Sequence, residues 1–226
     1  MEYQINGTIM QTVTCTLREG ETMYTESGGM AWMIGDIEMD TGMKGGLMAG
    51  IKRSLAGESL FITDYTCRSG TAQITFAAEF PGKILPLQLG EGESMIVQKD
   101  GFMCAEKSVK LEMHFRKKLW TGLFGGEGFI LQRLTGPGIA FVELAGEITE
   151  VNLGPGEVVR VDTGHVAMFD PSVQFDVERV KGVKNILFGG EGLFLAVLKG
   201  PGRVWLQSMP IANLAQKLAT YMPTSG

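Results

Sequence analysis

The chain has 226 residues, 44% hydrophobic, 20% charged and 8% aromatic, with a formal net charge of −5 and a pI near 5.2. That balance argues against a general nucleic-acid binder, which shows a basic face, and no stretch has the length and apolarity of a membrane span. Cys15, Cys67 and Cys104 are odd in number and widely spaced, which fits core thiols in a reducing cytoplasm better than disulfides or a zinc site.

The opening residues, "MEYQING", form neither a secretory signal nor an Arg-rich transit peptide, so a cytoplasmic location is expected. Met23, Met30, Met33, Met39, Met43 and Met48 crowd the first third of the chain. Adaptable core filling is the reading, with a soft-metal or promiscuous binding surface as the alternative. Asp36–Asp40 alternates polar and apolar residues, the mark of a half-buried strand. The glycine-rich stretch 43–57, with Lys52 and Arg53, reads as a loop or short helix. Val109–Phe115 and Val173–Val177 alternate in the same way. Phe129–Leu134 and Leu193–Leu198 are denser apolar runs and read as strands buried on both faces. Ile139–Leu144 and Arg203–Gln207 follow Gly-Pro-Gly turns and read as second arms of hairpins. Near the end, Pro210–Tyr221 places Ile211, Leu214, Ala215 and Leu218 on one helical stripe. Ser208 is a candidate cap and Pro210 suits the first turn; packing of the stripe on the β body is expected.

These elements recur. "LREGE" at Leu17–Glu21 returns as "LGEGE" at Leu89–Glu93 and "LGPGE" at Leu153–Glu157. "AGESLF" at Ala56–Phe61 returns as "GGEGFI" at Gly125–Ile130 and "GGEGLF" at Gly189–Phe194. "GTA" at Gly70–Ala72 returns as "GPG" at Gly136–Gly138 and Gly200–Gly202. Copies two and three keep one constant spacing at every landmark: Leu89 to Leu153, Gly126 to Gly190, Gly138 to Gly202. The first copy stands slightly further off and carries small insertions. Such periodicity is the signature of a repeat architecture. A unit of about 60 residues is marginal alone, so a single body of three internal repeats is expected, over about 1–88, 89–152 and 153–226. Short strands between glycine-rich turns make the class all-β.

Candidate chemistry is sparse. His114 lies on the polar face of its strand. Alignment on Gly28, Gly101 and Gly164 sets His165, in a turn, against Phe102 and Gly29. Two histidines so far apart in the chain, with no local pairing motif, do not compose a metal centre, and no "GxSxG" elbow is present. No cofactor is expected. The glycine turns lack the P-loop Lys-Ser/Thr, and their acidic residue would repel a phosphate. The equivalent carboxylates Glu58, Glu127 and Glu191, like Glu21, Glu93 and Glu157, read as solvated turn residues. Convergence of one set on a pseudo-threefold axis would instead bind a cation through oxygens. Arg116, Lys117 and Lys118, flanked by Phe115 and Trp120, form one basic patch of the kind that contacts a nucleic-acid backbone. It is not repeated, and a solvated hairpin tip is the simpler reading.

The triplicated layout, the Gly-Glu-aliphatic/aromatic motif around Glu58, Glu127 and Glu191, the Gly-Pro-Gly turns and the C-terminal helix together resemble a widespread bacterial family of uncharacterised proteins. Its eukaryotic members are named for altered inheritance of mitochondria. The resemblance covers nearly the whole chain. It implies three small β-sandwiches, each folded like the tryptophan RNA-binding attenuation protein (TRAP), around a pseudo-threefold axis. It brings no established catalytic residues to carry over. The leading function is therefore a non-catalytic β scaffold that binds a protein or small ligand. An enzyme with a site between repeats and a weak RNA binder are the alternatives. Outer strand edges need cover, and the mean hydropathy of +0.11 is high for a monomer, so a homo-oligomer with cyclic closure is expected.

Overall fold

A computed structural model of the chain describes residues 1–26, 29–42, 62–117, 129–179, 194–219 and 221. The chain divides into two compact units that interleave along the sequence. The first comprises Met1–Glu93, Asp100–Met113 and Leu134–Glu143; the second comprises Ser94–Lys99, His114–Arg133 and Leu144–Gly226.

In the first unit a four-stranded sheet runs in the order β1 (Glu2–Asn6), β2 (Thr12–Arg18), β7 (Thr71–Ala77), β4 (Met30–Ile34). A six-stranded sheet runs β5 (Ile37–Gly42), β6 (Ile62–Cys67), β3 (Thr22–Glu26), β10 (Phe102–Glu106), β13 (Gly138–Ala145), β8 (Gly82–Leu89). Period-two patterning builds the core between them. Val13, Cys15 and Leu17 on β2 alternate with half-buried threonines, and they pack with Ile74 and Phe76 of β7, Tyr65 of β6 and Phe141 of β13. Each such side chain contributes roughly 1.5–3 kcal/mol by leaving water.

In the second unit a six-stranded sheet runs β11 (Lys110–Lys117), β12 (Phe129–Thr135), β9 (Ser94–Gln98), β16 (Val166–Phe169), β19 (Gly202–Gln207), β14 (Ile148–Leu153). A three-stranded sheet runs β15 (Val158–Asp162), β18 (Phe194–Lys199), β17 (Gln174–Arg179). Phe175 stacks on Phe129 and Phe169, with ring centroids 5.6 Å apart in both cases, and meets the edge of Phe115 at 5.1 Å. Ile96, Leu131, Ala196, Leu198 and Val204 complete that core.

Several expectations change. The Gly-Pro-Gly turns do not close hairpins, because β12 and β13 belong to different sheets, as do β18 and β19. Each turn carries the chain from one sheet to another. Its first glycine allows a close approach: a Cβ on Gly136 would lie 2.4 Å from the Gly90 carbonyl, and one on Gly200 2.5 Å from that of Gly154. Its last glycine adopts φ +137° at Gly138 and +143° at Gly202, where L-residues are strained. Strand β18 is half-buried rather than buried on both faces, and β5 exposes its apolar residue Met39 to 48%. The methionines divide: Met23 is buried, whereas Met33 and Met39 reach solvent.

The helix α1 spans Ile211–Ala219. Its stripe is not buried throughout: Ile211 and Leu214 are half-buried, and Leu218 is 55% exposed. Ser208 does not cap it, because its Oγ instead accepts the Glu147 backbone N–H at 2.8 Å.

One irregularity recurs. The pairing of β4 with β7 shifts register between Met30 and Trp32, that of β10 with β13 between Phe102 and Cys104, and that of β16 with β19 between Val166 and Met168. The bulge sits on Ala31, Met103 and Ala167, one extra residue in each case. This register sets Phe102 against Val166 and Met30, so His165 stands opposite Gly101 and not Phe102. His165 ends the short 3-10 turn Thr163–His165, the counterpart of Lys99–Gly101.

Candidate functional site

The three "xxGE" turns share one geometry. The carboxylates of Glu21, Glu93 and Glu157 accept the backbone N–H of Arg18, Gly90 and Gly154 at 2.8, 2.8 and 2.7 Å. The backbone N–H groups of the same three glutamates return to the carbonyls of Arg18, Gly90 and Gly154 at 2.9, 3.1 and 3.1 Å. Gly20, Gly92 and Gly156 supply φ of +83°, +74° and +80°, as a turn of this kind requires. Each carboxylate is thus occupied within its own loop and acts as a turn lock. Glu58, Glu127 and Glu191 lie outside the described residues.

The histidines sit apart. His114 is exposed on β11, and its Nδ1 lies 3.2 Å from Arg133 Nη2. Arg133 also donates to Ser94 Oγ at 3.1 Å. Partial burial, reinforced by the Arg133 charge, lowers the His114 pKa, so Nδ1 is an acceptor for the guanidinium. His165 Nδ1 lies 2.7 Å from the Gln207 carbonyl and donates to it, since a carbonyl only accepts. Among the described residues no three His, Cys, Asp or Glu side chains group as a metal site requires. Arg116 and Lys117 fall in the last residues of β11; Lys118 and Trp120 lie outside the described residues. Phe115 is occupied by the Phe175 ring.

The three cysteines are free and buried. Burial pushes the Cys104 thiol up, with Cys15 and Glu143 adding to the shift. A buried thiol so disposed is inert rather than nucleophilic.

Sequence reasoning missed two features. The first is Glu143, which is 5% exposed on β13. Its Oε2 accepts the Glu79 backbone N–H at 2.9 Å. Burial raises its pKa from 4.5 to about 7; the Glu79 N–H opposes that rise, and the charges of Glu79 and Asp100 add to it. The signal was present in the constant spacing of copies two and three, which pairs Glu143 with Gln207. Gln207 is likewise buried, and its Oε1 accepts the Ala145 backbone N–H at 3.0 Å. Position for position the job is the same, done by an amide in one place and a carboxyl in the other.

The second is the edge strand β4, which ends its sheet. It exposes Trp32 to 51%, Met33 to 38% and Ile34 to 62%. Its sequence, "MAWMI", has no charge or proline, the devices that ordinarily blunt an edge. Beside it in sequence, Asp36, Glu38 and Asp40 are exposed and acidic, with Arg68 donating to Glu38 and Ser69 to Asp36. The sequence pattern does not mark this run as a strand; the sheet order makes it an edge, with nothing among the described residues paired on its outer side.

A family model described as mitochondrial biogenesis AIM24 matches residues 3–209. The chain belongs to the AIM24 family. It is similar to an uncharacterized protein of Streptococcus pyogenes serotype M6, 28% identical over 222 residues, covering 94% of this chain and 87% of that one. It also resembles the crystal structure of a Streptococcus pyogenes protein solved as a structural genomics target. There the TM-score is 0.79 at 24% identity, with 98% of this chain and 99% of that chain covered. That likeness concerns the fold, and fold alone does not carry a function. Among the described residues no helix is long and apolar enough to cross a membrane.

Proposed function

We propose that this AIM24-family chain is a non-catalytic β scaffold that works by protein association, including self-association into a closed homo-oligomer in the cytoplasm. The observation that carries this reading is the β4 edge. An uncharged strand with three large apolar side chains in water, and no partner among the described residues on the side away from β7, is costly to leave open and is suited to accept another strand. Two polar groups with shifted pKa are already occupied structurally, Glu143 by a backbone N–H and His114 by Arg133.

A threefold-repeated, TRAP-like body underlies the proposal. It is supported by the three identical turn locks, the three equivalent bulges and the matched contacts of Glu143 and Gln207. The test is mass in solution. Light scattering across micromolar concentrations is expected to give a multiple of the 24.5 kDa chain. A single-chain mass at every concentration defeats the reading.

A further inference from the structure

The internal repeat assigns Glu143 a second bond beyond the one to Glu79. The register shifts make Phe76, Val142 and Leu206 equivalent, opposite Met30, Phe102 and Val166. The residues that follow them, Ala77, Glu143 and Gln207, are therefore equivalent too. In the second unit Gln207 clamps two links of the chain. Its Oε1 accepts the Ala145 N–H at 3.0 Å, and its Nε2 donates to the Gly164 carbonyl at 3.0 Å. The accepting half of that clamp recurs in the first unit, where Glu143 Oε2 takes the Glu79 N–H at 2.9 Å. Glu79 stands second after Ala77, as Ala145 stands second after Glu143. Counted back from Phe102 and Val166, the equivalent of Gly164 is Asp100. Asp100 is near enough to Glu143 for its charge to act on the carboxyl. The donating half of the clamp needs a hydrogen. An ionised carboxylate only accepts, whereas the neutral acid has one O–H to give.

We propose that Glu143 is a proton-operated latch: as the neutral acid it accepts the Glu79 N–H and donates its own hydrogen to the Asp100 backbone carbonyl, and on ionisation it releases the turn at Asp100. The titratable groups that act on it all oppose ionisation. Glu79 and Asp100 are carboxylates, and Cys104 of β10 is a buried thiol whose proton the Glu143 charge helps to hold. None of the three brings a counter-charge, and at 5% exposure little water replaces one. When the acid ionises, its proton leaves to water and the O–H···O=C bond is lost. A carboxylate left facing a carbonyl sets two acceptors together, which costs free energy in a buried place. The bond from the Glu79 N–H survives, because a carboxylate accepts as well as an acid does, so the Asp100 side alone opens. Gln207 has no proton to lose near neutrality, and Ala77 has no polar side chain. One position thus carries no latch in the first copy, a titrating latch in the second and a permanent one in the third.

Amide hydrogen exchange on the full chain tests the latch, with rates corrected for their intrinsic dependence on pH. Peptides spanning Asp100 and Gly164 are followed in one sample at pH 5 and at pH 8. The carboxyl titrates at about 7 when closed and near 4.5 when open to water. That difference makes the Asp100 turn exchange roughly 70-fold faster at pH 8 than at pH 5. The Gly164 turn, held by an amide, is expected to keep one rate and serves as the internal control. In Glu143→Gln the Asp100 turn is expected to stay closed at both pH values. Infrared difference spectra of wild type against Glu143→Gln read the proton directly. A hydrogen-bonded, protonated carboxyl band is expected at pH 5 and is expected to fade at pH 8. The inference is overturned if the Asp100 turn exchanges alike at both pH values or if its pH step survives in Glu143→Gln. It is equally overturned if the Gly164 turn shows the same step, or if the protonated carboxyl band is missing at pH 5.

Discussion

Replacing Glu143 by Gln is expected to stabilise the protein above neutral pH and to remove part of its pH dependence. The carboxyl is 5% exposed and its pKa is raised from 4.5 to about 7, chiefly by burial. The sign follows from proton counts. Between those two values the folded chain holds a proton at Glu143 that the unfolded chain has released, so stability falls as pH rises across this window. Above pH 7 the folded state carries a buried charge, and the full shift corresponds to about 3 kcal/mol. The hydrogen bond to the Glu79 N–H does not require a charge. Gln207 makes the equivalent bond to Ala145 with an amide oxygen, so Glu143→Gln preserves the contact and removes the titration. Urea unfolding at pH 5 and pH 8, extrapolated linearly, gives the comparison. The wild type should lose about 2–3 kcal/mol more than the variant on going from pH 5 to pH 8. Equal losses in the two proteins, or a variant less stable than wild type at pH 8, would refute the reasoning.

Further outcomes concern the turns and the ligand set. Gly202→Ala should destabilise by roughly 2 kcal/mol or more, from backbone strain plus collision: φ is +143° and the new Cβ would lie 2.7 Å from Ser172 Oγ and Val173 Cγ2. Gly20→Ala, at φ +83° with nothing within 4 Å, should cost only about 1 kcal/mol. Thermal unfolding ranks the two, and the reverse order contradicts the assignment. Glu157→Ala leaves the Gly154 N–H without its 2.7 Å partner and should cost about 1 kcal/mol, as loss of a capping acceptor does. An unchanged melting temperature would remove the turn lock. Elemental analysis of the purified protein should find no stoichiometric zinc, iron or manganese, since the described residues bring no three ligands together.

The sequence by itself determined what is local. A glutamate bonding to a backbone N–H just upstream, with a positive-φ glycine between, is one short stretch of chain, so the turns at Glu21, Glu93 and Glu157 were legible as motifs. The alternation of Val109–Phe115 and Val173–Val177 reads directly as strands, because successive side chains leave opposite faces. The repeat spacing likewise carried the registers of β10 and β16, once one pairing was seen. The tertiary structure alone decided which strands are neighbours. A period-two pattern fixes the apolar face of a strand but not its partner, since ladder hydrogen bonds join backbones that are alike in every strand. Hence β12 and β13 read as one hairpin while their hydrogen bonds run in different sheets. Hence also Glu143, an ordinary acidic residue in sequence, became a buried carboxyl only when Glu79, far upstream in the chain, brought its N–H to it. The edge strand β4 was invisible for the same reason: "MAWMI" has no period-two alternation, and only the sheet order shows that it is a strand with nothing among the described residues paired beyond it.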